Sequence, residues 1–489
     1  MMQETNEYMK THTNKNRSMS VRTVVCIIMM MALILTGAAP SFADAQNTDG
    51  GSGSIKLKVS AYINWDDAPE ISGTSAIMID AGSGAILYEK NAYEQRDPAS
   101  ITKIITALIA LENLDMNEEI TAQSEPDPEG TNIALKVGET LTAEQMINAT
   151  LIASANDAAD ALAMHMGGSL EGFAEMMNER AAQCGAKDTR FSNPSGLTPA
   201  GQRHVTTAYD IAMIAREAMK NEQFREIVAK KKYTIPATDM SSERNIKSTN
   251  MCLVGDNKTA EVNGKERTLK YEGTTGVKTG FTEDAGYCFC GAAEKKDTEL
   301  IVVTLNAEKS AQRFTDTITL WDYGFSKYKT YTAAEAGQQV EELRIWQGAK
   351  SRVPAAVSED MDITLDKGTK TDTVTTGVLK ADKKLTAPVK KGDSVGTLVA
   401  YNEDGDVIAA SELVALESVE KGGPLSYIGI ADEHKTLFIV TQMILLILIF
   451  CVFAAVKRSQ RKKRQRMKAR RAREARRREW EQENDLFRR

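Results

Sequence analysis

The chain has 489 residues, 42% of them hydrophobic and 26% charged, with a formal net charge of −6; this is a globular rather than a disordered balance, sufficient for two or three domains. The charge is unevenly placed: residues 457–489 carry 16 basic and 5 acidic side chains, residues 1–22 carry 4 and 2, and the stretch between them holds a net −19. Such an acidic middle excludes a uniformly nucleic-acid-binding or acid-seeking surface, and no nucleic-acid partner is expected.

Val24 to Leu35 is an unbroken apolar run of 12 residues, preceded by Arg17 and Arg22 and followed by Ala43-Asp44-Ala45. It is too short to span a membrane and reads as the core of a secretory signal peptide, placed at 1–45. A Gly/Ser-rich stretch around Asp49 to Ser54 then predicts a flexible linker over 46–60. Ala76 to Asp80 and Ala85 to Tyr88 are short apolar runs separated by Ala81-Gly82-Ser83-Gly84, which predicts a hairpin. Asp97-Pro98 precedes apolar residues at Ile101, Ile104, Ile105, Leu108 and Ile109, predicting a helix capped by Asp97 with Pro98 at its first position. Thr142-Ala143-Glu144-Gln145 is a capping-box pattern, and helical composition resumes from Ala155 to Met166 after a break around Ser154. Ile301 to Leu305 returns to strand composition.

Beyond about 330 the texture changes to Thr, Val, Lys and Asp with turn signals such as Asn402 to Gly405, which predicts a separate β-rich domain over 331–425. Leu437 to Val456 is 20 residues without a charge, long enough at about 1.5 Å per residue to cross a hydrocarbon core. The Arg/Lys-rich segment 457–489 then marks the C-terminal side as cytoplasmic, so the middle of a single-pass chain would face outward. Of the six cysteines, Cys184, Cys252, Cys288 and Cys290 fall in that outward part. One or two disulfides are open to them, although Cys288 and Cys290, two apart on one strand, would pair poorly with each other.

Four histidines, no His-Glu-x-x-His and no Gly-x-Ser-x-Gly argue against a zinc site or a Ser-His-Asp hydrolase, and neither metal nor cofactor is expected. His165, on a helix among Ala and Met, reads as structural. A serine can instead be activated by a neutral lysine held beside it. Ser100-Ile101-Thr102-Lys103 has the spacing that puts both side chains on one helix face. The same pattern recurs at Ser326, Ser418 and Ser459, but only Ser100 opens a strongly apolar helix. Ser154-Ala155-Asn156 could relay protons and hold an amide, although Ser248-Thr249-Asn250 matches it as well. Lys278-Thr279-Gly280 could supply a strand edge with a cation and is expected by chance roughly 0.1 times in such a length; its bland alternative is a solvated lysine beside a glycine turn.

In this order, the three patterns resemble the active-site set of penicillin-binding proteins and serine β-lactamases. Their surroundings, Asp97 to Lys103, Phe191 to Leu197, His204 to Asp210 and Gly276 to Gly280, resemble the low-molecular-mass D-alanyl-D-alanine carboxypeptidases. The resemblance implies an α+β fold: a penicillin-binding-protein/serine β-lactamase-like domain at 61–330, with an antiparallel sheet and a helical subdomain, then the small all-β domain and the transmembrane helix at 437–456. It implies Ser100 as nucleophile, Lys103 as its base and Ser154 as proton relay. Asn156, Lys278, Thr279, Gly280 and Phe281 would bind substrate, with the N–H groups of Ser100 and Phe281 as oxyanion hole. Lys278 would keep Lys103 deprotonated, and Arg313 would meet the terminal carboxylate unless it is a surface ion pair. The implied substrate is the peptidoglycan stem peptide, with β-lactam antibiotics as covalent inhibitors. A serine β-lactamase remains an alternative, weakened because no Glu-x-x-Leu-Asn lies between Ser154 and Lys278; the other is a non-catalytic wall-binding membrane protein.

Overall fold

The computed structural model describes residues 67–486 apart from 126, 128–129, 198–201, 370–373, 380–383 and 403–404. The expected signal peptide and linker lie outside the described residues. Strands β1 (Ser75–Asp80) and β2 (Ile86–Lys90) form the expected hairpin. They join β3 (Thr274–Thr282), β4 (Gly286–Lys295) and β5 (Thr298–Ala307) in one antiparallel sheet of order β2-β1-β5-β4-β3. Successive strand side chains point to opposite faces. Accordingly Ile77, Ile79, Cys290, Ile301 and Val303 enter one core, whereas Ala76, Met78, Phe289, Leu300 and Val302 enter the other. Burial on both faces explains why these strands read as continuous apolar runs.

The first core is closed by the helical subdomain, including α1 (Lys103–Asn113), α2 (Asn156–Gly167) and α3 (Ala208–Met219). The second is closed by α4 (Gln312–Lys327), which lays Phe314, Ile318 and Trp321 on the sheet. The capping box at Thr142 is present: Thr142 N–H donates to Gln145 Oε1 at 2.9 Å, and Gln145 N–H donates to Thr142 Oγ1 at 3.3 Å. One expectation needs correction. Asp97 does not cap an α-helix; Ala99–Thr102 is a 3₁₀ turn and the α-helix begins at Lys103. Ala99 has φ +48°, and its carbonyl accepts the Thr102 hydroxyl at 2.8 Å, which tightens the entry.

A second unit follows α4 without a linker. Tyr328–Ala334 pairs with Met361–Asp366, so a boundary at 330 falls inside a strand. A five-stranded antiparallel sheet, in the order Gln339–Arg344, Arg352–Val357, Val407–Ala415, Ser394–Tyr401 and Thr375–Leu379, encloses its own core around Leu343, Val353, Leu398 and Leu413. The two units are bonded: Thr330 Oγ1 donates to Asp80 Oδ2 at 2.5 Å, and Ser83 Oγ meets Thr364 Oγ1 at 2.6 Å.

Helix α5 (Asp432–Leu486) is 55 residues long and contains the apolar run and most of the basic segment without interruption. It is the one described helix long and apolar enough to cross a membrane. Its first turn is tied to the β domain, since Gly423 N–H donates to Asp432 Oδ2 at 2.9 Å and Ser351 N–H to Glu433 Oε1 at 2.8 Å. The five described cysteines, Cys184, Cys252, Cys288, Cys290 and Cys451, are free thiols.

Candidate active site

The 3₁₀ turn positions the first pair. In that geometry residues i and i+3 eclipse, and Lys103 Nζ lies 3.0 Å from Ser100 Oγ. Ser100 is half-buried, whereas Lys103 is fully buried. The amine donates to Asn156 Oδ1 at 2.7 Å and to the Ser195 carbonyl at 2.6 Å. A neutral amine has two N–H donors and one lone pair; with the donors engaged, the lone pair is left for the Ser100 hydroxyl. Burial brings the Lys103 pKa down to about 7, against the opposing pull of Asp160 and Asp157. The main cause is therefore desolvation, not the charge of Lys278 as the resemblance implied.

Ser154 ends a π-helical turn at φ +63°, the expected break, and Asn156 begins α2. Asn156 N–H donates to the Thr131 carbonyl at 2.6 Å. Among the described residues the Ser154 hydroxyl makes no hydrogen bond to Ser100 or Lys103, although it is only 7% exposed.

Strand β3 carries Lys278, Thr279, Gly280 and Phe281. Lys278 is 1% exposed, which removes the solvated-charge reading. Its Nζ donates to the Thr279 carbonyl at 2.9 Å, and burial first, then Lys103 and Arg313, hold its pKa well below the ordinary lysine range. The Gly280 position is tight: a Cβ there would lie 2.9 Å from the Pro98 carbonyl oxygen, so only glycine lets β3 approach the Ser100 turn this closely. Arg313 is not a surface ion pair. Its Nη1 donates to the Gly280 carbonyl at 2.8 Å, and burial lowers its pKa.

Several supporting residues lack a motif. Asn193 Oδ1 accepts from Ser195 N–H at 3.2 Å and Gly196 N–H at 2.6 Å, an Asx turn that aims the Ser195 carbonyl at Lys103. Gly196 has φ +81°, and a Cβ there would sit 1.9 Å from the Ala99 carbonyl oxygen. His204 Nδ1 accepts from Ser192 N–H at 3.0 Å, which leaves Nε2–H to reach Thr102 Oγ1 at 2.8 Å; burial holds this ring near a pKa of about 4. The turn-forming string Asn193-Pro194-Ser195-Gly196 was the available signal. The second Ser-x-Asn braces β3 from behind: Thr249 Oγ1 is 2.6 Å from Thr279 Oγ1, and Asn250 donates to the Gly276 carbonyl at 3.0 Å. His165 lies apart and pairs with Glu118 at 2.7 Å.

The profile of D-alanyl-D-alanine carboxypeptidases matches residues 63–309, and that of the penicillin-binding protein 5 C-terminal domain matches residues 328–421. The chain is 33% identical over 360 residues to the D-alanyl-D-alanine carboxypeptidase DacF of Bacillus subtilis, covering 72% of this chain and 87% of that protein. It is 29% identical over 370 residues to DacC of Escherichia coli, covering 73% and 86%. Among solved structures, penicillin-binding protein 5 from Haemophilus influenzae superposes with a TM-score of 0.57 at 27% identity, over 72% of this chain and 99% of that one.

Proposed function

We propose, from the premise that this chain belongs to the D-alanyl-D-alanine carboxypeptidase family, that Ser100 is its nucleophile and Lys103 the base that activates it. The protein is a serine-type D-Ala-D-Ala carboxypeptidase of the low-molecular-mass penicillin-binding class. The observation that carries the assignment of residues is the Lys103 amine, buried, with both N–H donors engaged and Ser100 Oγ at 3.0 Å.

In this reading Lys103 takes the Ser100 proton as Oγ attacks the carbonyl carbon between the two terminal D-alanines. The N–H groups of Ser100 and Phe281 receive the developing oxyanion. The C–N bond breaks, the leaving D-alanine amine takes a proton passed through Lys103 and Ser154, and an ester to Ser100 remains. Lys103 then deprotonates a water that attacks the ester carbonyl; the bond from that carbon to Ser100 Oγ breaks, and Lys103 returns the proton to Ser100. Asn156 presents its amide to the substrate backbone, Thr279 and Gly280 form the strand edge along which the peptide lies, and Lys278 with Arg313 meets the terminal carboxylate. A carboxylate entering beside Lys278 restores the charge that burial disfavours there.

The stem peptide of peptidoglycan is the substrate and β-lactams are covalent inhibitors that stop at the acyl-enzyme. Residues 61–327 serve as the peptidase domain, 328–425, starting with the strand that crosses residue 330, as the β-rich domain and 437–456 as a membrane anchor. The catalytic domain faces outward and residues 457–489 face the cytoplasm, a reading supported by the uncharged run and the cationic residues that follow it. Intact mass after incubation with penicillin tests the assignment: one covalent adduct forms on wild type and none on Ser100→Ala. An adduct that persists on Ser100→Ala would place the nucleophile elsewhere.

A further inference from the structure

Arg313 is a half-buried cation without an ion-pair partner among the described residues. Its Nη1 contacts the carbonyls of Gly280 and Cys288 at 2.8 and 3.4 Å, and its buried Nε has no hydrogen-bond partner. What flanks it is aromatic. The guanidinium lies 5.2 Å from the Tyr287 ring centroid and 4.9 Å from that of Phe314. Tyr287 is in turn stacked with Phe281, with centroids 4.3 Å apart and planes at 25°. The stack is built by the sheet, because Tyr287 of β4 is the direct cross-strand partner of Phe281 in β3. A register shift between Tyr287 and Phe289 in the β4–β5 pairing lies beside this ring, the type of irregularity that re-aims side chains near sites. Phe281, at the outer end, is 48% exposed although it directly follows Gly280.

We infer that Tyr287 is a positioning residue for Arg313, and that the Phe281–Tyr287–Arg313 stack sets the enzyme's selectivity for peptides ending in a free carboxylate. The inference rests on the reading of Arg313 as a carboxylate-binding residue. A guanidinium over a ring is attracted by the ring's quadrupole and loses freedom to swing. Held this way, and bonded to the Gly280 carbonyl, it stays at the strand edge where the substrate's end would lie. Phe281 covers the outer face of Tyr287 and keeps water from that ring.

The test uses the full chain in detergent and two substrates, a diacetyl-lysyl-D-alanyl-D-alanine and the same peptide with a C-terminal amide. For Tyr287→Leu, KM for the acid rises about tenfold with kcat little changed, and the preference for acid over amide collapses. Tyr287→Phe keeps the ring and behaves as wild type. Phe281→Leu, at an exposed position, loses about threefold of the preference and serves if Tyr287→Leu does not fold. In an Arg313→Gln background, Tyr287→Leu changes the ratio no further. If Arg313→Gln leaves the acid/amide preference intact, the carboxylate reading itself is wrong. If Arg313→Gln abolishes the preference while Tyr287→Leu and Phe281→Leu retain it, the positioning role alone is overturned.

Discussion

In the proposed role of base, Lys103 has to be neutral when the substrate arrives, and its full burial, which brings its pKa down to about 7, favours that form. Acylation by penicillin should therefore be level in mildly alkaline buffer and fall about tenfold per pH unit below about pH 7; stopped-flow acylation across pH 5–9 checks this, and a flat profile would contradict it. The same depression has a sign for folding. Between about pH 7 and the ordinary value of 10.5 the unfolded chain binds a proton at Lys103 that the folded chain does not, so this residue's contribution to stability grows as pH rises through that window. At this scale the three short patterns were legible because each needs particular side chains. The contact from Lys103 to Ser195 was not, because it ends on a backbone carbonyl 92 positions away that any residue could supply.

Elements show the same division. The hairpin, the capping box and the break at Ser154 follow from local rules and appear where the sequence predicts them. The 3₁₀ entry to α1 does not, because it depends on the chain packed against it: the Asn193–Gly196 turn presses on the Ala99 carbonyl, and β3 on Pro98. Gly196→Ala puts a methyl group where that carbonyl stands and an L side chain at φ +81°. We expect it to cost about 1–3 kcal/mol in stability and, because the Ser100 turn must shift, to slow acylation by at least about tenfold. Thermal unfolding and an acylation time course separate the two effects. Unchanged acylation would mean that the turn tolerates displacement.

For the whole molecule, all three cores are complete before Asp432, and no residue of α5 belongs to any of them. A chain ending at residue 431 should be soluble without detergent and react with penicillin at the full-length rate, whereas the intact chain sediments with membranes; loss of reactivity on truncation would show that α5 supports the site. The apolar run was legible as a helix long enough to span, but the continuation of the helix through the basic segment was not read, because its like charges suggest repulsion; the absence of Gly and Pro, the helix-forming Arg, Lys, Ala and Gln residues and the i,i+4 pairs Arg470–Glu474 and Arg477–Glu481 favour it. The ties from Asp432 and Glu433 to the β domain join the proposed anchor to the enzyme without an intervening flexible linker. An enzyme on a loose tether samples a hemisphere of wall; one mounted on a stiff post works at a single height. In the proposed topology its search for stem peptides is then lateral diffusion in two dimensions, confined to one thin layer of the wall, and peptides above that layer are left untrimmed however long the enzyme persists.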